Sequence, residues 1–175
     1  MDLFIRRQQT SDIELLDSCL SDSEFLSNIW GHKSITLDEF LDRYSYHNYV
    51  IGELSNIERT LGFFIIKPYN FKDDELKPHS NFFFYGGIRP CLFNSGYGIY
   101  LCSTMLHFFF DRYPASNLYA NVFVANNRSR RMLLALGFKT LRENCDSVSF
   151  RICRDEYLSS CLNQWINRKI SYIVM

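Results

Sequence analysis

Residues 93–98 read Phe93-Asn94-Ser95-Gly96-Tyr97-Gly98 and lie between a predicted strand, ending near Pro90, and a predicted helix. Two glycines two positions apart at the start of a helix let backbone N–H groups point at a phosphate. The helix dipole adds roughly half a positive charge at the same end. The order strand, loop, helix therefore predicts an anion-binding turn, and a plain turn is the alternative.

The residues that follow exclude two well-known kinds of phosphate loop. A dinucleotide-binding fingerprint needs a third glycine, which is missing here, and it opens a domain instead of standing in mid-chain. A Walker loop needs Gly-Lys followed by Ser or Thr, and the chain has no such sequence. The turn must belong to a different class.

A second informative stretch follows some thirty residues later. It reads Asn126-Asn127-Arg128-Ser129-Arg130-Arg131-Met132-Leu133-Leu134-Ala135-Leu136-Gly137-Phe138. The pattern predicts a helix over 127–136 that ends at Gly137, since a glycine there adopts the left-handed conformation that closes many helices.

Together the two stretches resemble the GNAT N-acetyltransferase superfamily. The first is similar to its pyrophosphate loop, written Gln/Arg-x-x-Gly-x-Gly/Ala, and the second to its Asn-x-x-Ser/Ala helix ending in Leu-Gly-Phe. Within the superfamily the second stretch looks like the RimJ/RimL type, which acetylates ribosomal-protein N-termini and has small-molecule relatives. The positions that fit that type are Asn126, Ser129, Arg131, Leu133, Gly137 and Phe138. The resemblance covers 82–142 well, whereas 1–67 agree only in element order.

The resemblance implies a fold and a co-substrate. The fold is α/β (α+β), a single domain over 1–175 with a mixed, mostly antiparallel central sheet, splayed between its two central strands and flanked by helices. Acetyl-CoA lies in that splay, between the strand ending at Arg89 and the strand ending at Val124. An amine attacks the thioester directly, so the protein must position the amine, accept one proton and stabilise an oxyanion.

The resemblance also implies which residues form the site. Backbone groups around Ile88 would pair with the pantetheine, and the N–H groups of 94–99 would hold the pyrophosphate. Asn126 and Ser129 are the predicted catalytic residues, placed to contact the pantetheine or the leaving thiolate, although both residue types also serve as ordinary helix N-terminal residues. The predicted cofactor-binding residues are Ile88, Phe93, Asn94, Ser95, Gly96, Tyr97, Gly98, Ile99, Asn126 and Ser129.

Three positions depart from the family pattern. Phe93 stands where Gln or Arg often contacts the pyrophosphate. Leu133 stands where many members have a tyrosine that serves as general acid. No glutamate occurs between Asn81 and Arg89, on the strand where a base often lies. Proton loss would therefore use ordered water, or the amine would arrive neutral.

Charged residues give two further expectations. Arg128, Arg130 and Arg131 fall in the first turns of a helix, where a cation is slightly unfavourable. A bound anion such as the adenosine phosphates of CoA would relieve this, and solvated arginines are the alternative. Overall, residues 1–87 carry a balance of −6 and 88–175 one of +6, which suits an anionic ligand on the second half or merely reflects solvated surface.

The acceptor pocket is expected near the first two helices and the loops at the end of the sheet. Trp30, His32 and residues 69–75 fall in such regions. His32 and His79 have a side chain that can act as a base near neutral pH. Nothing in the sequence places either histidine near the thioester.

The remaining elements follow from periodicity and from turn residues. Strands are predicted at 3–8, 48–54, 60–67, 82–85, 118–124, 138–142 and 147–153, and helices at 11–20, 36–43, 96–112, 127–136 and 155–163, with a loop at 68–80. Ser11 and Glu14 form a capping-box pattern for the first helix.

Composition limits the class of protein. The 175 residues are 47% hydrophobic and 22% charged, which is typical of a globular chain. No apolar run approaches the roughly 20 residues that span a bilayer, and residues 1–10 contain no signal stretch, so we expect a cytoplasmic protein without membrane contact. Lys and Arg are not clustered densely enough for a nucleic-acid partner.

The cysteines and histidines predict no metal site. The six cysteines are scattered without a Cys-x-x-Cys pair, and the four histidines do not complete a cluster. We therefore expect free thiols, mostly buried.

Two kinds of function remain, with an amine acceptor as the partner in the first and a homodimer left open. The first is an N-acetyltransferase acting on a small molecule or a protein N-terminus. The second is a GNAT-like domain that binds acyl-CoA without turnover, as a sensor or a structural partner. A nucleotide-binding module unrelated to CoA is a third reading.

Overall fold

The computed structural model describes residues 1–30, 35–44, 48–68, 81–113 and 116–175. The described strands form one sheet in the order β6-β7-β5-β4-β3-β2-β1-β8. Their bounds are β1 Asp2–Arg7, β2 Asn48–Glu53, β3 Thr60–Pro68, β4 Asn81–Ile88, β5 Asn117–Phe123, β6 Lys139–Glu143, β7 Ser147–Cys153 and β8 Ser171–Val174. Within this part of the chain every neighbouring pair is antiparallel except β4–β5 and β1–β8. The mixed, mostly antiparallel sheet is therefore confirmed.

Helices cover both faces of the sheet. Their bounds are α1 Ile13–Leu20, α2 Ser23–Trp30, α3 Leu37–Tyr44, α4 Tyr97–Arg112, α5 Asn127–Ala135, α6 Arg154–Ser159 and α7 Cys161–Asn167. Side chains alternate between the faces of a strand, so Phe64 packs into the core shared with α4 to α7. Its neighbours Phe63 and Ile65 pack into the core shared with α1 to α3. None of the described helices is long and apolar enough to cross a bilayer.

The sheet opens between its two central strands. β4 and β5 pair only through Asn81–Phe83 against Asn117–Tyr119. Beyond these pairs β4 continues to Ile88, still paired with β3 but not with β5. The two strands therefore diverge, and five residues of β4 keep a free edge toward the gap, as the predicted splay requires.

Several predicted elements are confirmed with their caps. Gly137 follows α5 with φ +95°. Thr36 caps α3, because its hydroxyl accepts the Glu39 N–H at 3.2 Å while the Glu39 carboxylate accepts the Thr36 N–H at 2.8 Å. The β2–β3 and β6–β7 hairpins also form as predicted. Most of the 68–80 loop lies outside the described residues.

The first helix begins later than the Ser11 pattern predicts. A 3₁₀ turn, Thr10–Asp12, precedes α1. The buried Asp12 carboxylate accepts the Gln9 N–H at 2.7 Å and pairs with Arg6 at 2.6 Å. Asp12 and not Ser11 thus fixes the entry of the chain into α1.

Two further predictions were wrong or incomplete. The helix expected over 155–163 is two helices, because Ser160 is extended (ψ 115°) and its hydroxyl accepts the Asn163 N–H to begin α7. α2 and β8 were not predicted at all. The signal for α2 was present, since the Asp22 carboxylate accepts the Phe25 N–H at 2.7 Å as an N-terminal cap does.

All six cysteines are free, as predicted, but most are not buried. Only Cys19 and Cys102 are buried, while Cys91, Cys145 and Cys161 are exposed. The three exposed cysteines lie in a 3₁₀ turn, in a loop and at the start of α7, where no core face covers them.

Candidate acyl-CoA site

A cavity of about 400 Å³ occupies the gap between β4 and β5. α2 lies on one side of it, α4 on the other, and the start of α5 at its rim. Of the ten predicted cofactor-binding residues, eight line it: Ile88, Phe93, Asn94, Gly96, Gly98, Ile99, Asn126 and Ser129. Ser95 and Tyr97 do not, because the Ser95 hydroxyl donates to the Leu92 carbonyl and the Tyr97 hydroxyl to the Glu53 carboxylate.

The free edge of β4 offers backbone groups to the cavity. The Arg89 N–H donates to the Leu61 carbonyl on the β3 side at 2.9 Å. Backbone groups alternate between the two sides of a strand, so those of Ile88, Gly86 and Phe84 face the gap, although the Ile88 carbonyl also accepts the Cys19 thiol at 3.8 Å. An extended ligand with amide groups, such as pantetheine, can pair with them as a further strand would.

The loop before α4 supplies N–H groups at the end of this edge. Asn94 and Gly96 have φ of +61° and +87°, which turns the chain sharply into α4. The first N–H groups of a helix lack intrahelical acceptors, so those of Gly98 and Ile99 remain for an anion. The Ser95 N–H is not available, since it donates to the Leu92 carbonyl at 3.3 Å.

Arg128 adds a positive charge beside this loop. Its guanidinium lies 4.8 Å from the centroid of the Phe93 ring and donates to the Asn94 side chain at 3.0 Å. It also pairs with Glu24 of α2 at 2.6 Å. The sequence placed Phe93 where an Arg or Gln is usual, and the structure brings an arginine from α5 onto that ring. The sequence did not predict this contact, because Arg128 and Asn94 are 34 positions apart in the chain.

The other two arginines of α5 are held by protein groups. Arg130 pairs with Glu143 at 3.1 Å, and the Arg131 Nε donates to the Asn127 carbonyl at 3.3 Å. Neither lines the cavity. Arg130 thus has a carboxylate partner, while Arg131 is exposed to solvent, as the alternative of solvated arginines expects.

Asn126 and Ser129 both lie at the rim of the cavity, but their side chains make different contacts. The Asn126 Oδ1 accepts the Ser129 N–H at 3.0 Å and so caps α5, while its Nδ2 donates to the Asn28 carbonyl of α2 at 3.3 Å. The Asn126 side chain is thus committed to holding α5 against α2. The Ser129 hydroxyl has no partner among the residues the structure describes and is directed by a fixed helix end.

Leu133 is not at the site. Its side chain is 2% exposed and packs in the core on the α4 side of the sheet. The residue of α5 that lines the cavity at this level is Met132. A thioether cannot donate a proton, so the helix still supplies no general acid there.

The described lining contains no carboxylate and no histidine. Its ionisable side chains are Arg128 and Cys102, and burial raises the pKa of the Cys102 thiol to about 12. Among the residues described, no group of three or more metal-binding side chains is placed to hold a metal ion. The site as described can position reactants and donate hydrogen bonds, but it has no side chain that exchanges protons near neutral pH.

Sequence reasoning missed the α2 wall of the cavity. Phe25, Asn28 and Ile29 line it, and a Cβ on Gly87 would stand 2.2 Å from the Phe25 ring, so α2 lies directly on that glycine. Gly86 and Gly87 of β4 were the sequence signal for this wall, since a strand without side chains lets a helix approach closely. His32, His79 and residues 69–75, named above for the acceptor, lie outside the described residues, as does the side chain of Trp30.

Comparisons with known proteins bear on the fold. No family model and no curated protein matches the chain. It is similar to the solved structure of a spermidine N-acetyltransferase from Vibrio cholerae in complex with CoA and spermine, with 18% identity, 90% of this chain and 98% of that chain covered, and a TM-score of 0.72.

Two further solved structures show the same likeness. An aminoglycoside acetyltransferase in complex with coenzyme A has 15% identity, coverage of 89% and 97%, and a TM-score of 0.69. A GNAT family acetyltransferase from Bacillus anthracis has 17% identity, coverage of 87% and 95%, and a TM-score of 0.69. The chain therefore has the GNAT acetyltransferase fold.

Proposed function

We propose that this protein is a GNAT N-acetyltransferase that moves the acetyl group of acetyl-CoA to a primary amine. The observation that carries the proposal is the free edge of β4. This edge runs along the cavity and ends at the loop that leads into α4. The first N–H groups of α4 lie there without intrahelical acceptors. A thioester with an amide-bearing arm and a diphosphate fits that sequence of groups.

The described residues divide into three roles toward acetyl-CoA. Backbone groups of Gly86 and Ile88 pair with the pantetheine amides. N–H groups of Gly98 and Ile99, with the Arg128 guanidinium nearby, hold the diphosphate. The Asn126 cap fixes the start of α5, so that Ser129 stays at the cavity rim, within reach of the reacting sulfur.

Catalysis rests on positioning. The neutral amine nitrogen bonds to the thioester carbon, the carbon–sulfur bond breaks, and the proton released by the amine ends on the CoA thiol. Since the described lining has no base, that proton travels through ordered water, and the Ser129 hydroxyl orients this water. Holding reactants in register supplies a large part of the barrier reduction in such reactions.

The finer class we propose is the RimJ/RimL-like type. Support comes from the Asn126, Ser129, Arg131, Gly137 and Phe138 pattern on and after α5. The acceptor is a small-molecule amine or a protein N-terminus. An amine substrate also agrees with the spermine bound by the Vibrio cholerae structure.

Two measurements on the full chain test the proposal. Calorimetry with CoA should show binding, and thiol release from acetyl-CoA should rise when an amine is supplied from a panel of a polyamine, an amino sugar, an aminoglycoside and a peptide with a free N-terminus. The same peptide with an acetylated N-terminus is the control and should release no thiol.

The outcomes separate the competing functions. Absence of CoA binding would contradict the site assignment itself. Tight CoA binding without thiol release for any amine would favour the sensor without turnover.

A further inference from the structure

The lining of the cavity reaches beyond the edge of β4. On the α4 side of the sheet it extends beneath β3 to β2, where Ile51 lines it. Ile51 is paired with Gly62, and Gly62 with Ile88, so these three residues form one row across the sheet. That row reaches two strand spacings, about 9.6 Å, away from the free edge of β4.

Two glycines lie at close contacts between strands on this side of the sheet, since a Cβ on Gly62 would stand 2.5 Å from the Gly87 carbonyl oxygen and one on Gly86 2.8 Å from that of Phe63. Gly62 and Gly86 face α4, because they alternate with Phe63 and Gly87, whose side of the sheet packs against α2. Neither places a side chain between the sheet and the helix. We call the space the side chamber and define it by the residues around it: Ile51, Phe64, Phe84, Leu101, Cys102 and Met105.

The side chamber is apolar and shielded from solvent. Five of its six side chains are hydrocarbon or thioether, and Ile51, Phe64, Leu101 and Met105 are each no more than 4% exposed. The sixth, Cys102, stays a neutral thiol, since burial raises its pKa to about 12. An amine, a sugar or a peptide backbone would lose its hydrogen bonds to water there without replacement.

The side chamber adjoins the part of β4 that faces the pantetheine arm. Gly86, whose backbone faces the gap, and Phe84, whose ring borders the chamber, are two residues apart on one strand. A chain attached to the thioester carbon can therefore leave the gap at this level and enter the chamber. A straight hydrocarbon fills such a space, and each buried methylene contributes about 0.8 kcal/mol.

We propose that, besides acetyl-CoA, this protein accepts medium-chain, saturated acyl-CoA donors, whose hydrocarbon tail occupies the side chamber. The inference rests on the proposed function and widens the range of its donor. The reaction is the one given above: the acyl carbon leaves sulfur for the amine nitrogen, and the amine proton ends on the CoA thiol. No oxidant or further reactant takes part.

A ladder of donors tests the proposal without knowledge of the acceptor. Affinities of CoA, acetyl-CoA, butanoyl-CoA, hexanoyl-CoA and octanoyl-CoA are measured by calorimetry with the wild-type chain. We expect the dissociation constant to fall by up to about fourfold per added methylene, until the chamber is full. Affinity that stays flat or weakens beyond acetyl-CoA would overturn the medium-chain donor while leaving the acetyltransferase intact.

Two variants and a matched control assign the effect to the chamber. Cys102→Leu fills it and should lower the ratio of hexanoyl-CoA to acetyl-CoA affinity by tenfold or more, about the effect of two methylenes. Phe84→Ala enlarges it and should move the optimum to a longer donor. Cys161→Leu makes the same chemical change on exposed α7 and should leave the ratio unaltered.

Thermal melts show whether each variant is folded, and the ratio is read on folded protein. If Cys102→Leu weakens every donor equally, the chamber is not the acyl site. Failure of CoA itself to bind the wild type would remove the proposed function and this inference together. A flat donor ladder combined with a preference for amines with longer alkyl chains would assign the chamber to the acceptor instead.

Discussion

At the scale of single residues, the diphosphate loop depends on backbone conformation more than on side chains. Gly96 has φ +87° and begins α4 as its N-cap, with open space where a side chain would stand. Asn94 adopts φ +61° and is one of the few residue types that do so readily. A substitution at Gly96 can therefore change charge at the loop without a steric clash.

Gly96→Asp should abolish CoA binding while the domain stays folded. A second negative charge about 4 Å from a phosphate costs about 4 kcal/mol at the dielectric of a protein surface, which is roughly a thousandfold in affinity. Gly96→Asn has nearly the same size and tolerance of positive φ, so it should bind CoA within a few-fold of wild type. Equal affinities of the two variants in calorimetry would show that no phosphate lies at this loop.

Substitutions of Ser129 and Leu133, both on α5, should have different effects: the first on turnover and the second on stability. Ser129→Ala removes a hydroxyl at the cavity rim and should lower turnover by about ten- to a hundredfold, or 1.4–2.7 kcal/mol, with CoA affinity within a few-fold. Leu133→Ala removes a buried side chain and should lower the free energy of unfolding by about 2–5 kcal/mol. Steady-state kinetics and denaturant melts on both variants decide the matter, and unchanged turnover in Ser129→Ala would remove Ser129 from the mechanism.

At the scale of elements, the cavity exists because three helices are held around one diverging strand. Arg128 ties α5 to α2 through Glu24, and Asn126 ties the same two helices through the Asn28 carbonyl. α2 rests on Gly87 of β4, where no side chain intervenes. Gly87 is thus a point where α2 contacts β4 without an intervening side chain of β4.

Gly87→Ala should push α2 away from the sheet. Its Cβ would lie 2.2 Å from Phe25 Cε2 and 3.3 Å from Ile29 Cδ1, so the Phe25 ring must move and the Ile29 side chain must give by a few tenths of an ångström. Overpacking of this kind costs about 1–3 kcal/mol of stability, and both displaced side chains line the cavity. Denaturant melts and CoA calorimetry would measure the two effects.

Gly98→Ala is the matched control for stability. A Cβ there would meet Met132 Sδ at 3.7 Å and Ile88 Cδ1 at 3.8 Å, which are ordinary contacts. Alanine in a helix gains about 0.5–1 kcal/mol over glycine. If Gly87→Ala proved as stable as Gly98→Ala, the contact between α2 and β4 would be looser than the structure shows.

At the scale of the whole molecule, the reaction has no described side chain to control its pH dependence. The Cys102 thiol, whose pKa burial raises to about 12, stays protonated from pH 6 to 9, and arginine stays charged throughout that range. The proton that matters is then the one on the acceptor amine. The neutral fraction of an amine rises with pH up to its own pKa and is nearly complete above it.

The value of kcat/KM should therefore rise about tenfold per pH unit below the pKa of the amine and level off above it. Two amines with different pKa values should give profiles displaced by that difference. A rising limb at the same pH for both amines would instead reveal a titrating group of the enzyme, for which His32 and His79 would be the first variants to make.

Local sequence was enough for the features that depend on neighbouring residues. The glycine turn before α4, the Asn126 cap, the glycine after α5 and the two hairpins follow from preferences acting over a few positions. These features carried the resemblance to GNAT proteins, and with it the splayed sheet. Eight of the ten residues predicted to bind the cofactor line the cavity, and their binding role stays a prediction.

Only the tertiary structure decided the shape and chemistry of the site. The Arg128–Glu24 pair joins residues 104 positions apart, the side chamber needs Ile51 and Met105 brought together from β2 and α4, and the rotation of α5 puts Met132 and not Leu133 on the cavity. Such contacts arise when distant segments pack to bury their apolar faces. No preference read along the chain specifies which of them will meet, because that choice is made by the packed core as a whole.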